Sequence, residues 1–277
     1  MTTTVPAGLA ELTEILAYGD FATSAPAALQ QDLGLASLQV GPARALAVRE
    51  DPSHFFNRAG GFGAEHPLTL DDLARVCDFY REQGVAQGSL MIAPPLMPAN
   101  WAAQAATLGL TEGGRYAKLA CDLDTMPTAD PPPVLDPGWH IGTVGAHQAR
   151  EWATVMMNTF GFTAPAMVEL AASFVGRASW RQYAVRAGER IVAVGSVFFN
   201  GECAHMFAGA TLPAARGRGA QSALLAARIE AARAQGCRWI VAETGAEGPG
   251  EHNPSLHNML RAGFRPMYER PNWLWRA

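Results

Sequence analysis

Lysine is almost absent from this chain. Of its 21 Lys and Arg residues, Lys118 alone is a lysine. Schiff-base chemistry, which needs a lysine amine, therefore has one poor candidate. Cysteine is scarce and scattered: Cys77, Cys121, Cys203 and Cys237 form no C-x-x-C pair. This argues against a disulfide frame or a structural zinc, and makes a reducing, cytoplasmic setting the expectation. No apolar run approaches the roughly 20 residues that a spanning helix requires. The opening Met1-Thr2-Thr3-Thr4-Val5-Pro6 lacks the basic start and apolar centre of a signal peptide. Charge of one sign does not dominate either. The net charge is −4 and the pI about 6.0, so neither nucleic acid nor a membrane surface is expected as a partner. What is present is 277 residues, 49% of them hydrophobic, which suits two modest domains or one large one.

The most informative stretch runs from Ala208 to Leu225. A β-prone run, Ala204 to Thr211, enters it, and an amphipathic helix, about Ala220 to Gln235, leaves it. Between them lies a short loop with Pro213, Gly217 and Gly219. Glycines before a helix let backbone N–H groups approach a ligand closely. The first N–H groups of a helix have no internal partner, and the macrodipole makes that end attractive to anions. A strand–Gly loop–helix junction is thus a ready cradle for phosphate or pyrophosphate, with Arg216 and Arg218 adding positive charge. The same residues would also suit an ordinary solvated turn.

The wording is more specific than the chemistry. Arg216-x-x-Gly219-x-Gln221, preceded by Thr211-x-Pro213 and followed by Ser222-Ala223-Leu224-Leu225, resembles the acyl-CoA pyrophosphate loop of the GNAT superfamily of N-acetyltransferases, Arg/Gln-x-x-Gly-x-Gly/Ala. Gln221 departs from the pattern and places a larger side chain where backbone would meet phosphate. Further on, Asn253 to Asn258 and then Arg261-Ala262-Gly263-Phe264 are similar to the family's last helix and its Gly-Phe turn. The resemblance covers residues 138–277. It implies an α/β fold with a mixed, splayed central sheet flanked by helices, and acetyl-CoA as co-substrate with no metal. The backbone of Gly209, Ala210 and Thr211 would then pair with the pantetheine arm. Arg216, Gly217, Arg218, Gly219, Ala220, Gln221 and Ser222 would hold the pyrophosphate, and Asn253 or Asn258 would touch the cofactor from the last helix.

The first half reads in the same order. Residues 8–17 space apolar side chains as a helix does, and Ser24 suits the N-cap of a second short helix. Strands are predicted at 38–41, 45–48 and 54–59, then a glycine loop, Gly60 to Gly63. A helix over 70–83 follows, with Thr69 and Asp71-Asp72 at its start. A strand at 90–93, a helix over 100–108 and a strand over 115–123 complete the series. The arrangement suggests two GNAT-like domains in tandem: a degenerate one at 1–125, a Pro-rich linker at 126–137 and an acyl-CoA-binding one at 138–277. The first glycine loop lacks the arginine pattern and carries Glu65 and Pro67 where donors would be wanted. In the second domain, helices are predicted over 146–160 and 165–176. Strands follow at 180–186, 190–200, 202–211 and 238–243, and two more over 264–275, broken near Pro271-Asn272.

Acetyl transfer to an amine requires deprotonation of the amine, alignment of the reactants and donors for the tetrahedral oxyanion. His205 is the first candidate base: strand alternation places 205, 207, 209 and 211 on one side, and an unperturbed imidazole titrates near pH 6.5. Glu243 is the second. A buried strand histidine satisfied by a neighbour is the alternative for His205. Where the family commonly has a tyrosine as acid, four residues before the glycine of the Gly-Phe turn, this chain has Met259, which cannot donate. Ser255, His257 and Tyr268 are the nearby groups that can, and Tyr268 is the candidate acid. His252 and His257, five apart on an expected helix, have poor spacing for a shared metal. The expected activity is transfer of an acetyl group to a primary amine of a small molecule or peptide, by a monomer or homodimer. The alternatives are a non-catalytic acyl-CoA-binding module or an enzyme with a longer acyl donor.

Overall fold

A computed structural model describes residues 4–127 and 133–277. The chain falls into two compact units.

The first-half unit consists of Val5–Lys118, Thr244–Gly250 and Pro266–Ala277. Its elements are α1 (Ala7–Thr23), α2 (Ala27–Asp32), β1 (Leu35–Val40), β2 (Ala43–Val48), β3 (Arg58–Gly60), α3 (Leu70–Glu82), β4 (Gln87–Met91), α4 (Trp101–Thr107) and β5 (Thr111–Asp122). Ser24 closes α1 instead of opening α2: its hydroxyl donates to the Phe21 carbonyl, and Pro26 precedes α2. Thr69 starts α3 as predicted, in a capping box in which its side chain accepts from Asp72 N–H and Asp72 accepts from Thr69 N–H. Residues 54–57 are not strand: Asp51 folds them into a turn by accepting from Ser53 and Phe56 N–H.

The second-half unit is built chiefly from Leu119–Glu243 and Glu251–Arg265. It contains β6 (Trp139–Thr143), α5 (Ala149–Thr159), α6 (Pro165–Ser173), β7 (Trp180–Ala187), β8 (Arg190–Asn200), β9 (Cys203–Thr211), α7 (Ala220–Ala234), β10 (Trp239–Gly245) and α8 (Pro254–Arg261). Its strands run in the order β10-β9-β8-β7-β6, with β10 parallel to β9 and the others antiparallel. An aromatic cluster of Trp152, Phe174, Trp180, Phe198 and Phe207 fills the α5–α6 side of this sheet. The predicted linker falls partly on residues 128–132, outside the described residues.

The last strand, β11 (Arg265–Arg276), is continuous where two strands were predicted. Its ladder to β4 begins at Asn272↔Met91, one residue past Pro271, so the missing proline N–H interrupts no bond of that ladder. Residues 266–277, which the linear reading gives to the second domain, pack in the first-half unit, where the strand order is β1-β2-β3-β4-β11-β5.

Candidate active site

The strand–loop–helix junction forms as its sequence suggests. β9 ends at Thr211, the Leu212 N–H donates to the Val192 carbonyl, and residues 213–215 make one tight turn. Gly217 (φ 76°) and Gly219 (φ 81°) take left-handed conformations that a side chain would strain. Gly219 is the N-cap of α7, and no side chain caps that end. The donors of the first turn of α7 are therefore left to a ligand or to solvent. Ala220 and Leu224 bury themselves against Val185, Val192 and Ala193, which anchors the helix start.

Gln221 does not fill the mouth. Its amide donates to Thr211 Oγ1 at 2.7 Å, and its Oε1 would stand 3.3 Å from a Cβ on Gly209. The larger side chain thus folds back along β9. Arg218 pairs with Asp136 at 3.1 Å and lies over the Trp139 ring, 5.5 Å from its centroid. The Asp136 N–H donates to the Arg218 carbonyl, and a Cβ on Gly219 would meet the Val134 carbonyl oxygen at 2.1 Å. Residues 134–136 therefore lie against the loop, with the Val134 carbonyl oxygen beside Gly219 and the Asp136 carboxylate on Arg218. Beside it, a cavity of about 500 Å³ is lined by Arg150, Glu151, Asn158, Arg190 and Leu212.

One strand irregularity organises the centre of the site. β8 and β9 stay in register from Asn200↔Cys203 to Ser196↔Phe207, then slip, so that Ala208 and Gly209 together oppose Gly195. This is a β-bulge, and Ala208 takes φ 56° to make it. The slip reverses the alternation. Ala210 now lies opposite Val194, on the face of Phe207 and His205, while Thr211 lies opposite Ala193 on the other face. The expectation that His205 and Thr211 share a face is overturned for this reason. His205 is 3% exposed, and its ring stands 6.3 Å from that of Phe207, on the aromatic side of the sheet.

β10 accompanies β9 from Trp239↔Cys203 to Val241↔His205, whereas β9 runs on along β8 to Thr211. Glu243 follows two residues after Val241 and so shares the face of His205, about 7 Å further along at ~3.3 Å per residue. It is half-buried. The structure thus brings both candidate bases to one flank of the place where the strands part.

The remaining candidates have other work. Asn253 caps α8, its Oδ1 accepting from the Ser255 and Leu256 N–H groups, and the Asn258 side chain accepts from Arg261. Tyr268 lies in the first-half unit, where its hydroxyl donates to Glu11 Oε1 at 2.8 Å. Burial, then the Glu11 charge, pushes its pKa far up. The proton assigned to a leaving thiolate is thus committed to Glu11. His252 precedes α8 instead of lying on it, and its ring lies 4.4 Å from that of His257, tilted by 33°. All four cysteines are buried free thiols, and burial pushes Cys77 to about 11 and Cys121 to about 12.

A side chain that sequence reasoning passed over lies behind the bulge. Arg228, on α7, is 2% exposed. No carboxylate pairs with it among the described residues. The only signal in the sequence was an arginine on the apolar side of that helix, four residues after Leu224.

Residues 141–248 match the family model of the acetyltransferase (GNAT) domain. The chain carries a GNAT domain. Its fold is shared with solved structures over nearly its whole length. A GCN5-related N-acetyltransferase from Kribbella flavida is 15% identical with TM-score 0.61, over 90% of this chain and 94% of that one. A tandem GNAT protein from the clavulanic acid biosynthesis pathway is 16% identical with TM-score 0.59, over 96% of each chain. Among curated proteins none matches. No helix among the described residues is long and apolar enough to cross a membrane.

Proposed function

We propose that this protein transfers an acetyl group from acetyl-CoA to a primary amine of a small molecule or peptide. The observation that carries the reading is the start of α7: a helix N-terminus with no side-chain cap, a left-handed Gly219, and Arg216 and Arg218 in the loop that leads from β9. These donors fit a diphosphate. The GNAT family match supports acetyl-CoA as its bearer.

In the transfer the amine nitrogen attacks the thioester carbonyl. The C–N bond forms, the C–S bond breaks, and the amine's proton finishes on the departing sulfur. The loop positions the donor, and much of the acceleration comes from alignment and from donors to the developing oxyanion. Glu243, half-exposed where β10 leaves β9, is the better-placed base. His205 sits among aromatic rings on the same face. Tyr268 is held by Glu11, so the thiolate, whose conjugate acid titrates near pH 8.5, leaves with water as proton source. The first-half domain serves as scaffold and binds no acetyl-CoA.

Steady-state release of CoA thiol with a panel of amines tests the reading. Turnover with a primary amine is the expected result, and Glu243→Gln then lowers kcat by about 100-fold at neutral pH. The absence of Tyr at Met259 favours a second reading, a non-catalytic acyl-CoA-binding module. Measurable acetyl-CoA affinity with no release for any amine would establish it instead.

A further inference from the structure

Arg228 is a buried cation with no counter-charge among the described residues. Burial pulls its pKa down to about 10, so the charge opposes folding at every pH below that value, with relief only as pH rises through 10. Such a group is retained where something depends on it.

Its surroundings show what depends on it. Nε donates to the Leu224 carbonyl at 2.9 Å, one turn back on α7. Nη1 faces two carbonyls that bracket the bulge, Ser196 at 3.4 Å and Phe207 at 3.5 Å. These contacts are long, so they act as charge on dipole more than as tight hydrogen bonds. The Phe207 carbonyl also accepts from Ser196 Oγ at 3.2 Å. Space has been cleared for the guanidinium: a Cβ on Gly195 would lie 3.0 Å from Cζ, and one on Gly209 3.6 Å from Nη2. Gly195 therefore makes room for the guanidinium, and Gly209 borders it at ordinary contact distance.

A trans peptide points its C=O and N–H in opposite directions. The Phe207 carbonyl is turned toward Ser196 of β8 and toward Arg228. The N–H of the same peptide, that of Ala208, is therefore turned toward the flank from which β10 has departed. A cation on the carbonyl strengthens the N–H as a donor, because hydrogen-bonded dipoles polarise one another in a low-dielectric interior.

Building on the acyltransferase reading, we propose that Arg228 is a positioning residue for the transfer. From behind the sheet its guanidinium holds and polarises the Phe207–Ala208 peptide, so that the Ala208 N–H meets the acyl oxygen as negative charge develops there. It touches neither substrate.

The test uses the full chain with Arg228→Met, Arg228→Lys and Gly195→Ala. Arg228→Met should lower kcat about 10- to 100-fold, less than the loss of a whole oxyanion donor, with acetyl-CoA Kd changed less than twofold. Arg228→Lys should recover most of that rate, because it restores charge at a similar depth. Gly195→Ala keeps the charge but displaces it, and should give a smaller fall in kcat if Arg228→Met does not fold. In ¹⁵N spectra the Ala208 amide proton should move upfield in Arg228→Met and return in Arg228→Lys. A folded Arg228→Met with wild-type kcat, a loss confined to Kd, or an unmoved Ala208 resonance overturns the proposal. If the wild type acetylates no amine, the acyltransferase reading has failed. The Ala208 resonance then still decides whether Arg228 governs that peptide.

Discussion

The two halves bury charge in opposite ways. In the first-half unit, Glu11 and Glu14 of α1 meet Lys118 and Arg270 at 0–1% exposure, with the Tyr268 hydroxyl donating to Glu11. Two anions face two cations, and the balance closes locally. In the second-half unit, Arg228 is buried with only carbonyl dipoles as partners among the described residues. The helix starts differ in the same sense. α3 spends its donors on its own Thr69–Asp72 capping box, whereas α7 begins on Gly219 with no side chain across it. At these two places the first half satisfies its charges and donors internally, as a scaffold can. The other leaves donors and a charge open, which is useful when a ligand or a transition state completes them.

The contrast can be broken most forcefully at the buried charges. Arg270→Met strands Glu11 and Glu14 beside Lys118 alone and should destabilise the protein by about 3–5 kcal/mol. Arg228→Met removes an uncompensated charge as well as three contacts to carbonyls, and should change stability by less than about 1 kcal/mol. Urea denaturation of both variants reads the difference, and equal losses would erase the distinction between the two halves.

The helix starts give the next effect. Gly219→Val places a branched side chain at φ 81° against the Val134 carbonyl. It should weaken acetyl-CoA binding at least tenfold, about 1.4 kcal/mol, in calorimetry. Thr69→Ala should instead lower stability by about 1 kcal/mol and leave that affinity untouched. An acetyl-CoA affinity that follows Thr69 and ignores Gly219 would put the nucleotide in the wrong half.

The smallest effect belongs to Asp136. Its half-exposed pair with Arg218 is worth no more than about 1 kcal/mol. Asp136→Ala should release Arg218 and tighten acetyl-CoA binding by no more than about fivefold. Weaker binding would mean that residues 134–136 form part of the nucleotide site and do not compete for it.

Much of this was legible in the order of residues. Helix stripes, the Gly217–Gly219 turn and the Thr69 cap are local: each depends on side chains within four positions and on backbone sterics, so the chain itself specifies them. The strand–loop–helix junction was readable for that reason, down to its boundaries. Ser24 misled because an ST hydroxyl satisfies a helix end as readily as a helix start.

What only the tertiary structure decided rests on partners distant in sequence. A one-residue slip opposite Gly195 put His205 and Thr211 on different faces, and strand alternation read along β9 alone has no sight of β8. The destination of the final strand, the capture of Tyr268 by Glu11 and the burial of Arg228 behind the bulge are of the same kind. Each is fixed by electrostatics and pairing between residues tens to hundreds of positions apart, which no local pattern encodes.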